Sequence, residues 1–245
     1  MKIGQVVVCI VSVVVFSWGN SWNYKVSSGL LGKLGSINVS KTQDEYRYRI
    51  DAKVITGGIA AVLTGNRKEY YRSEGVVQNG QFRARTFQIR RVMKKKNQID
   101  TYRINPVKKR IVKRKQRWKK GKKTKDYTKT LPYFSENDLA TLYINMIPVI
   151  LKAPPGSRWS FKAVGAEKVK GRVLVTKPEV EEAQRLRKKL GVGKKYTILV
   201  ISSWEKILSK RNRKLTLAID PEGVLYRAHL VALPVVGEIW IKRSR

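Results

Sequence analysis

The chain has 245 residues, 42% of them apolar, and carries 53 Lys or Arg against 17 Asp or Glu, a formal charge of +36. That length supports one sizeable core, while the surplus of cations excludes an ordinary balanced surface, because self-repulsion of this size is retained for an anionic partner. The single cysteine, Cys9, leaves the chain beyond it with no disulfide, no Cys-based metal site and no thiol nucleophile.

The first 22 residues read MKIGQVVVCIVSVVVFSWGNSW. Lys2 and the free amine, an apolar run from Val6 to Phe16 and small residues at Ser17, Gly19 and Ser21 are the parts of a secretory signal peptide over 1–21, cut after Gly19 or Ser21. The alternative is an uncleaved membrane anchor, for which the run is short of the roughly 20 apolar residues a spanning helix needs. The expectation is an exported, periplasmic protein with one β-rich domain over 22–245.

Short alternating segments follow. Trp22 to Ser27 reads as a strand, and SGLLGKLGS after it as a bendable connection through Gly29, Gly32 and Gly35. Ser36 to Lys41 and Glu45 to Val54 form a hairpin. In the second, Tyr46, Tyr48, Ile50, Ala52 and Val54 share one parity and Glu45, Arg47, Arg49, Asp51 and Lys53 the other, a period of two that only a strand keeps clean. Residues 57–66 suit one or two helical turns. Arg67 to Val77 and Phe82 to Lys95 flank Asn79-Gly80, whose positive φ a tight hairpin demands. Ile99 to Asn105, Arg110 to Lys119 and Lys122 to Lys129 continue the meander with one wet face.

Ser135, with Asp138 three residues on, resembles a capping box, and Leu139, Leu142, Tyr143, Met146, Ile147 and Ile150 recur at helical spacing. A second helix spans Pro178 to Leu190, with acids first, bases last and Gly191 as the stop. Strands resume at Arg158 to Val164, Val169 to Thr176, Tyr196 to Ser202, Lys214 to Ile219, Val224 to Leu233 and Val235 to Lys242. Together these predict a mainly β (α+β) fold: a single strongly curved antiparallel sheet or half-barrel with one or two helices packed on it.

Five blocks, YKVSSGLLGKLGSINVSK, YRYRIDAKVITGGIAAVLTGNRKEYYRSEG, FSENDLATLYINM, FKAVGAEKVKGRVLV and LTLAIDPEGVLYRAHLVALPVVGEIWI, resemble successive parts of the exported bacterial proteins grouped as domain-of-unknown-function family 3108. The resemblance runs in order from about Trp22 to Ile241. It implies an exported, mainly β domain, a kinship of shape with half-barrel carriers of lipids and lipoproteins, and no catalytic residues to carry over.

Catalytic constellations are weak. GLLGKLG fails as a phosphate loop, since Ser27 and Leu34 stand where Gly and a hydroxyl are needed. His229 is the one imidazole and reads as a structural side chain. Ser202 or Ser203 near Lys206 is a coincidence of strand spacing, and among Glu136, Asp138, Glu167, Glu205, Asp220 and Glu222 no carboxylate pair stands out. No catalytic residue, metal site or cofactor is expected.

Charge is the stronger signal. Residues 83–129 hold 21 Lys or Arg and two acids, a net of +19 in under a fifth of the chain. Two readings stay open: a solvated face on long hairpins, or a footprint for a polyanion, with Arg83, Arg85, Arg90, Arg91, Lys113, Lys115, Arg117 and Lys119 as the anion-binding set; the imbalance favours the second. Tyr46, Tyr48, Ile50, Leu142, Met146 and Leu217 would line an apolar groove beside it. The expected function is therefore non-enzymatic: binding of an anionic lipid or envelope polymer, with association at a membrane surface. The alternatives are a module for nucleic acid or acidic polysaccharide, and a scaffold partner in an envelope complex.

Overall fold

Except for the eighth and ninth, each strand pairs with the next in the chain, and one further pairing joins the first strand to the last. The computed structural model describes residues 21–166, 170–202, 214–233 and 237–244. In chain order the elements are β1 (Ser21–Ser28), β2 (Gly32–Gln43), β3 (Arg47–Thr56), α1 (Gly58–Thr64), β4 (Lys68–Gln78), β5 (Gln81–Met93), β6 (Lys96–Asn105), β7 (Arg110–Lys119) and β8 (Lys122–Thr130), followed by α2 (Leu139–Lys152). After α2 come β9 (Arg158–Lys162), β10 (Arg172–Thr176), α3 (Val180–Leu190), β11 (Thr197–Ser202), β12 (Leu215–Ile219), β13 (Leu225–Leu233) and β14 (Gly237–Arg243). All fourteen strands form one antiparallel sheet in the order β8-β7-β6-β5-β4-β3-β2-β1-β14-β13-β12-β11-β10-β9. The signal-peptide segment, Glu167, Ser203, Glu205 and Lys206 lie outside the described residues.

The sheet is open. The expected strong curvature and half-barrel are not formed: the sheet is neither closed nor strongly curled, and β8 and β9, consecutive in the chain, stand at its opposite edges. Curling is rewarded only where it buries apolar surface. All nine residues of β8 are exposed, and KKTKDYTKT gives that edge nothing to bury except the Tyr127 ring.

Elsewhere the pleat sorts side chains as the alternation predicted. In β3, Tyr48, Ile50, Ala52 and Val54 are buried while Arg47, Arg49 and Lys53 are exposed. They join Tyr24, Ile37, Phe87, Ile89, Leu217 and Ile239 in one core with α2. The alternate residues of β11 and β12, Ile198 and Ala218, face the other way and meet Ala183 and Leu190 of α3, so the two longer helices cover opposite faces.

Tyr46 departs from the expected parity. Asp44 accepts hydrogen bonds from the backbone N–H groups of Tyr46 and Arg47 at 2.9 and 2.7 Å, a turn that starts the strand at Arg47 and leaves Tyr46 67% exposed. The glycine-rich connection is also shorter than expected. Gly35 lies inside β2 at φ 153°, where a Cβ would fall 2.1 Å from the Ile55 carbonyl oxygen.

Helix α2 is pinned at both ends. Its N-cap is Asp138 rather than Ser135: the carboxylate accepts from the N–H groups of Ala140 and Thr141 at 2.8 and 3.0 Å, and Thr141 Oγ1 accepts from the Asp138 N–H at 2.9 Å. Ser135 instead donates to the Lys162 carbonyl at 2.7 Å. At the far end Lys177 Nζ donates to the carbonyls of Ile150, Leu151 and Ala153 at 3.1, 3.1 and 2.6 Å, satisfying acceptors that the last turn leaves open. Between them Asn145 exchanges two hydrogen bonds with the backbone of Phe82, at 3.0 and 2.8 Å, and ties the helix to β5.

Asp138 is fully buried, and Ser73 Oγ donates to it from β4. Burial pushes its carboxyl up to about 6, against the pull of Ser73 and the capping N–H groups. Because the folded value lies above the ordinary one, this site contributes most below pH 4, and that contribution is lost as pH rises through 6. Asp138→Asn keeps an acceptor for the cap and removes the titration. Urea midpoints between pH 4 and pH 7.5 should show the variant gaining about 2–3 kcal/mol relative to the parent as pH rises; parallel profiles would refute this.

Candidate functional site: a basic face at one edge of the sheet

In an antiparallel ladder directly paired residues point to the same face. The register therefore assembles rows across β4 to β8. Ser73, Phe87, Tyr102, Lys113 and Lys129 make one. Tyr71, Ile89, Asp100, Lys115 and Tyr127 make the next, and Glu69, Arg91, Gln98, Arg117 and Lys125 the third. Met93, Lys96, Lys119 and Lys122 close the end. One face thus changes character across the sheet, apolar at β3, mixed ionic at β4 to β6, and cationic at β7 and β8.

The ionic band has few acids, and these are occupied. Glu69 is fully buried, in contact with Arg67 and with the Tyr71 hydroxyl, and 3.7 Å from Arg91. Asp100 takes Arg91 at 2.7 Å and Gln98 at 2.7 Å, with Lys113 Nζ at 3.8 Å. Lys113 also donates to the Tyr102 hydroxyl at 2.9 Å. Burial opposes the charge on Arg91, but Tyr71, Glu69 and Asp100 outweigh it and hold the guanidinium above its ordinary value. Arg91 is thus the interior anchor of the band.

Toward the edge the anions run out. Asp126, the acid of β8, belongs to the other face. There it accepts from Arg114 at 2.9 and 2.8 Å, from Gln116 at 3.1 Å and from Lys123 at 3.1 Å, and these donors hold it well below the usual carboxylate range. On the basic face Lys119, Lys122, Lys125 and Lys129 are exposed and Lys115 and Arg117 half-buried. Burial depresses the Lys115 ammonium; Asp100 opposes this, while Lys113, Arg117 and Arg91 depress it further. Crowding of like charge beside a half-dry surface is what an incoming anion relieves.

The sequence-predicted residues divide accordingly. Lys113, Lys115, Arg117 and Lys119 come together on this face, with Arg91 beneath them. Arg83 does not join them, because it pairs with Glu136 at 2.9 Å on the crossover to α2. Arg85 occupies the bulge between the pairs Gly75–Ala84 and Glu74–Thr86, and Arg90 is exposed on the reverse face, 5.9 Å from the Tyr70 ring centre. Lys96, Lys122, Lys125 and Lys129 were not in the predicted set. The Lys120-Gly121 turn, with φ of 49° and 78°, sets Lys122 opposite Lys119, but Lys125, Tyr127 and Lys129 reach the same face only through the register shift beside Arg117 and Trp118, which alternation does not reveal.

Of the residues expected to line an apolar groove, Tyr46 is exposed apart from the others. Tyr48, Ile50, Leu142, Met146 and Leu217 are buried in one core cluster. An open hollow beside Tyr48 is instead lined by polar groups, among them Gln43, Asp44, Arg47, Arg49 and Glu74. His229 is buried against Trp240, ring centres 4.3 Å apart, with Nε2 3.2 Å from Glu238. Burial lowers its pKa, and Lys189 adds to the effect. Among the described residues no group of three or more His, Cys, Asp or Glu is placed to hold a metal ion, and no helix is long and apolar enough to cross a membrane.

Compared with known proteins, the chain matches no family model and no curated protein. It is similar to a solved structure, the crystal structure of a beta-barrel-like protein of domain of unknown function DUF1849 from Brucella abortus. The identity is 9% and the TM-score 0.55, over 92% of this chain and 95% of that one. The two share a fold along nearly their full lengths. At that identity the likeness carries no residue roles.

The band and the edge should respond oppositely to loss of a cation. Arg91→Met strips a buried partner from Asp100 and should cost about 3 kcal/mol in urea unfolding. Lys125→Met, on the same face, should change stability by under about 0.5 kcal/mol. An equal loss in both variants would contradict the graded face.

Proposed function

We propose that the protein is a non-enzymatic protein of the cell envelope that binds anionic amphiphiles by their headgroups on the basic face of β7 and β8. The observation that carries this reading is the register: Lys119, Lys122, Lys125 and Lys129 are exposed on the face to which Lys115 and Arg117 belong, and the acids of that face lie inward, already paired. Cations across a strand pair stand about 5 Å apart and successive ones along a strand about 7 Å. Such a lattice lets two ammonium groups share one phosphate and a further pair take the next. Tyr127, 43% exposed between the lysines, adds an amphipathic ring for the glycerol or sugar region.

Support for an envelope location comes from the leader-like first 21 residues and from the resemblance carried by the five sequence blocks. An acidic polysaccharide offers the same spaced anions and is the second reading; an exported chain meets it in the same compartment. The buried core argues that the acyl chain is not swallowed, so recognition is of the headgroup.

Isothermal titration of a chain beginning at Ser21 with polyphosphate and with short-chain phosphatidylglycerol below its micelle concentration tests the face directly. Replacing Lys119, Lys122, Lys125 and Lys129 with Gln should weaken binding about a hundredfold at low salt and flatten its salt dependence. The exposed cluster Lys108, Lys109 and Arg110, at the opposite end of the strands, should tolerate the same exchange. Wild-type protein that ignores both ligands at low salt would end the proposal.

A further inference from the structure

At one end of the strands, four connections stand in a row: the β1–β2 turn, the β3–β4 connection with α1, the β5–β6 turn and the β7–β8 turn. Backbone hydrogen bonds link their neighbours. Gly57 N–H donates to the Leu34 carbonyl at 2.8 Å, Lys94 N–H to Gly65 at 3.0 Å and Lys120 N–H to Lys95 at 3.0 Å. Between Gly29 and Lys33, Gly57 and Lys68, Lys94 and Lys96, and Lys119 and Lys122 the sequence contains no acid and no aromatic residue.

Helix α1 in this row is oriented the wrong way for a core element. Of its residues only Ala60 is buried, whereas Val62 is 80%, Leu63 56% and Ile59 54% exposed. Leu30, on the neighbouring turn, is 74% exposed. Ala60 packs into the core and Thr64 Oγ1 donates to Thr56 Oγ1 at 3.1 Å, which fixes the inner face and leaves the apolar side chains outward. Its ends are closed by Gly57, the left-handed Gly65 (φ 69°) and the Asn66 N–H, which donates to the Ala61 carbonyl at 2.7 Å. Along the same row Lys33, Lys68, Lys94, Lys95, Lys96, Lys119, Lys120 and Lys122 are all exposed, while on the far side of Leu30 Glu238 is paired with Lys189 at 3.1 Å.

We infer that this end of the sheet docks on an anionic lipid bilayer, with Leu30, Ile59, Val62 and Leu63 entering the headgroup layer and the adjoining lysines meeting its phosphates. A few exposed aliphatic side chains beside a row of lysines suit an interface of acyl chains beneath negative headgroups. A protein partner would favour aromatic and Arg contacts and few lysines, and this surface has the reverse composition. The proposal rests on the headgroup reading above and extends it, since Lys119 and Lys122 belong both to the basic face and to this end. Docking there would bring headgroups to the edge of the lattice.

The chain beginning at Ser21 has no cysteine, so Val62→Cys gives a single site for an environment-sensitive dye, and Val107→Cys, 90% exposed at the opposite end, gives its control. Phosphatidylglycerol vesicles should brighten and blue-shift the dye at 62 and leave the dye at 107 unchanged, while phosphatidylcholine vesicles should do neither. Val62→Asp with Leu63→Asp, both on exposed positions, should weaken vesicle binding about tenfold or more and leave polyphosphate binding intact. Equal dye responses at 62 and 107, or undiminished vesicle binding by the double Asp variant, would overturn the inference. So would a concentration-dependent dimer that the double variant abolishes without any effect on vesicles. Loss of polyphosphate binding on mutation of the β7–β8 lysines tests the basic face separately, so each idea can fail alone.

Discussion

The pairing of β1 with β14 is the contact on which the architecture depends. Tyr24 to Ser28 lie opposite Arg243 to Ile239, and every other neighbour in the sheet is also a neighbour in the chain. Hairpins close small loops cheaply, whereas this pairing joins strands separated by almost the entire sequence. Without it two meanders would each expose an apolar edge. With it Val26 and Ile241 become neighbours in a continuous core, and α2, arriving on the crossover between the two edge strands, can cover both halves. Tyr143 illustrates the dependence: its hydroxyl donates to the Gly223 carbonyl at 3.0 Å on the second half, while Asn145, half a turn on, holds Phe82 on the first.

A second constraint follows from the first. Since the halves meet in the middle, the most hydrophilic strand falls at an edge, where its face has least need of apolar partners. The change from Ile50 through Glu69 and Arg91 to Lys125 is a progressive loss of burial, and charge follows it. Toward the interior Arg91 and Lys113 lie against Glu69 and Asp100; toward the edge the lysines of this face are exposed to water. An edge strand rich in lysine also discourages a further strand from pairing there. The same residues can thus keep the sheet from extending and hold an anion.

Much of this was legible in the sequence because period-two alternation and Gly or Asn-Gly turns report locally. The strands around Tyr48, Phe87, Tyr102 and Leu217 lie where alternation placed them, the helix at Leu142 follows its spacing, and the helix at Ala183 stops at Gly191 as its sequence indicates. What was not legible depends on partners distant in the chain. Whether the sheet curls is decided by what the far edge has to bury, and one strand's pattern does not contain that. Asp138 took the cap from Ser135 because Ser73, 65 residues away, completes its hydrogen bonds. The basic stretch read as one set, yet Arg83, Arg90 and Lys115 go to different surroundings, and only the registers of β5 and β7 against their neighbours separate them. The groove residues were identified as apolar and inward; Tyr46 turned outward because Asp44 accepts from its backbone N–H and the strand starts only at Arg47.

Strand β1 begins, and β14 finishes, at the end remote from α1, with Ser244 N–H donating to the Asn23 carbonyl at 2.7 Å. Polypeptide joined at either terminus would leave the domain on that side. A tag or fluorescent fusion placed there would stand clear of the lysine-flanked helix, and a tether running from it would let the opposite tip swing free.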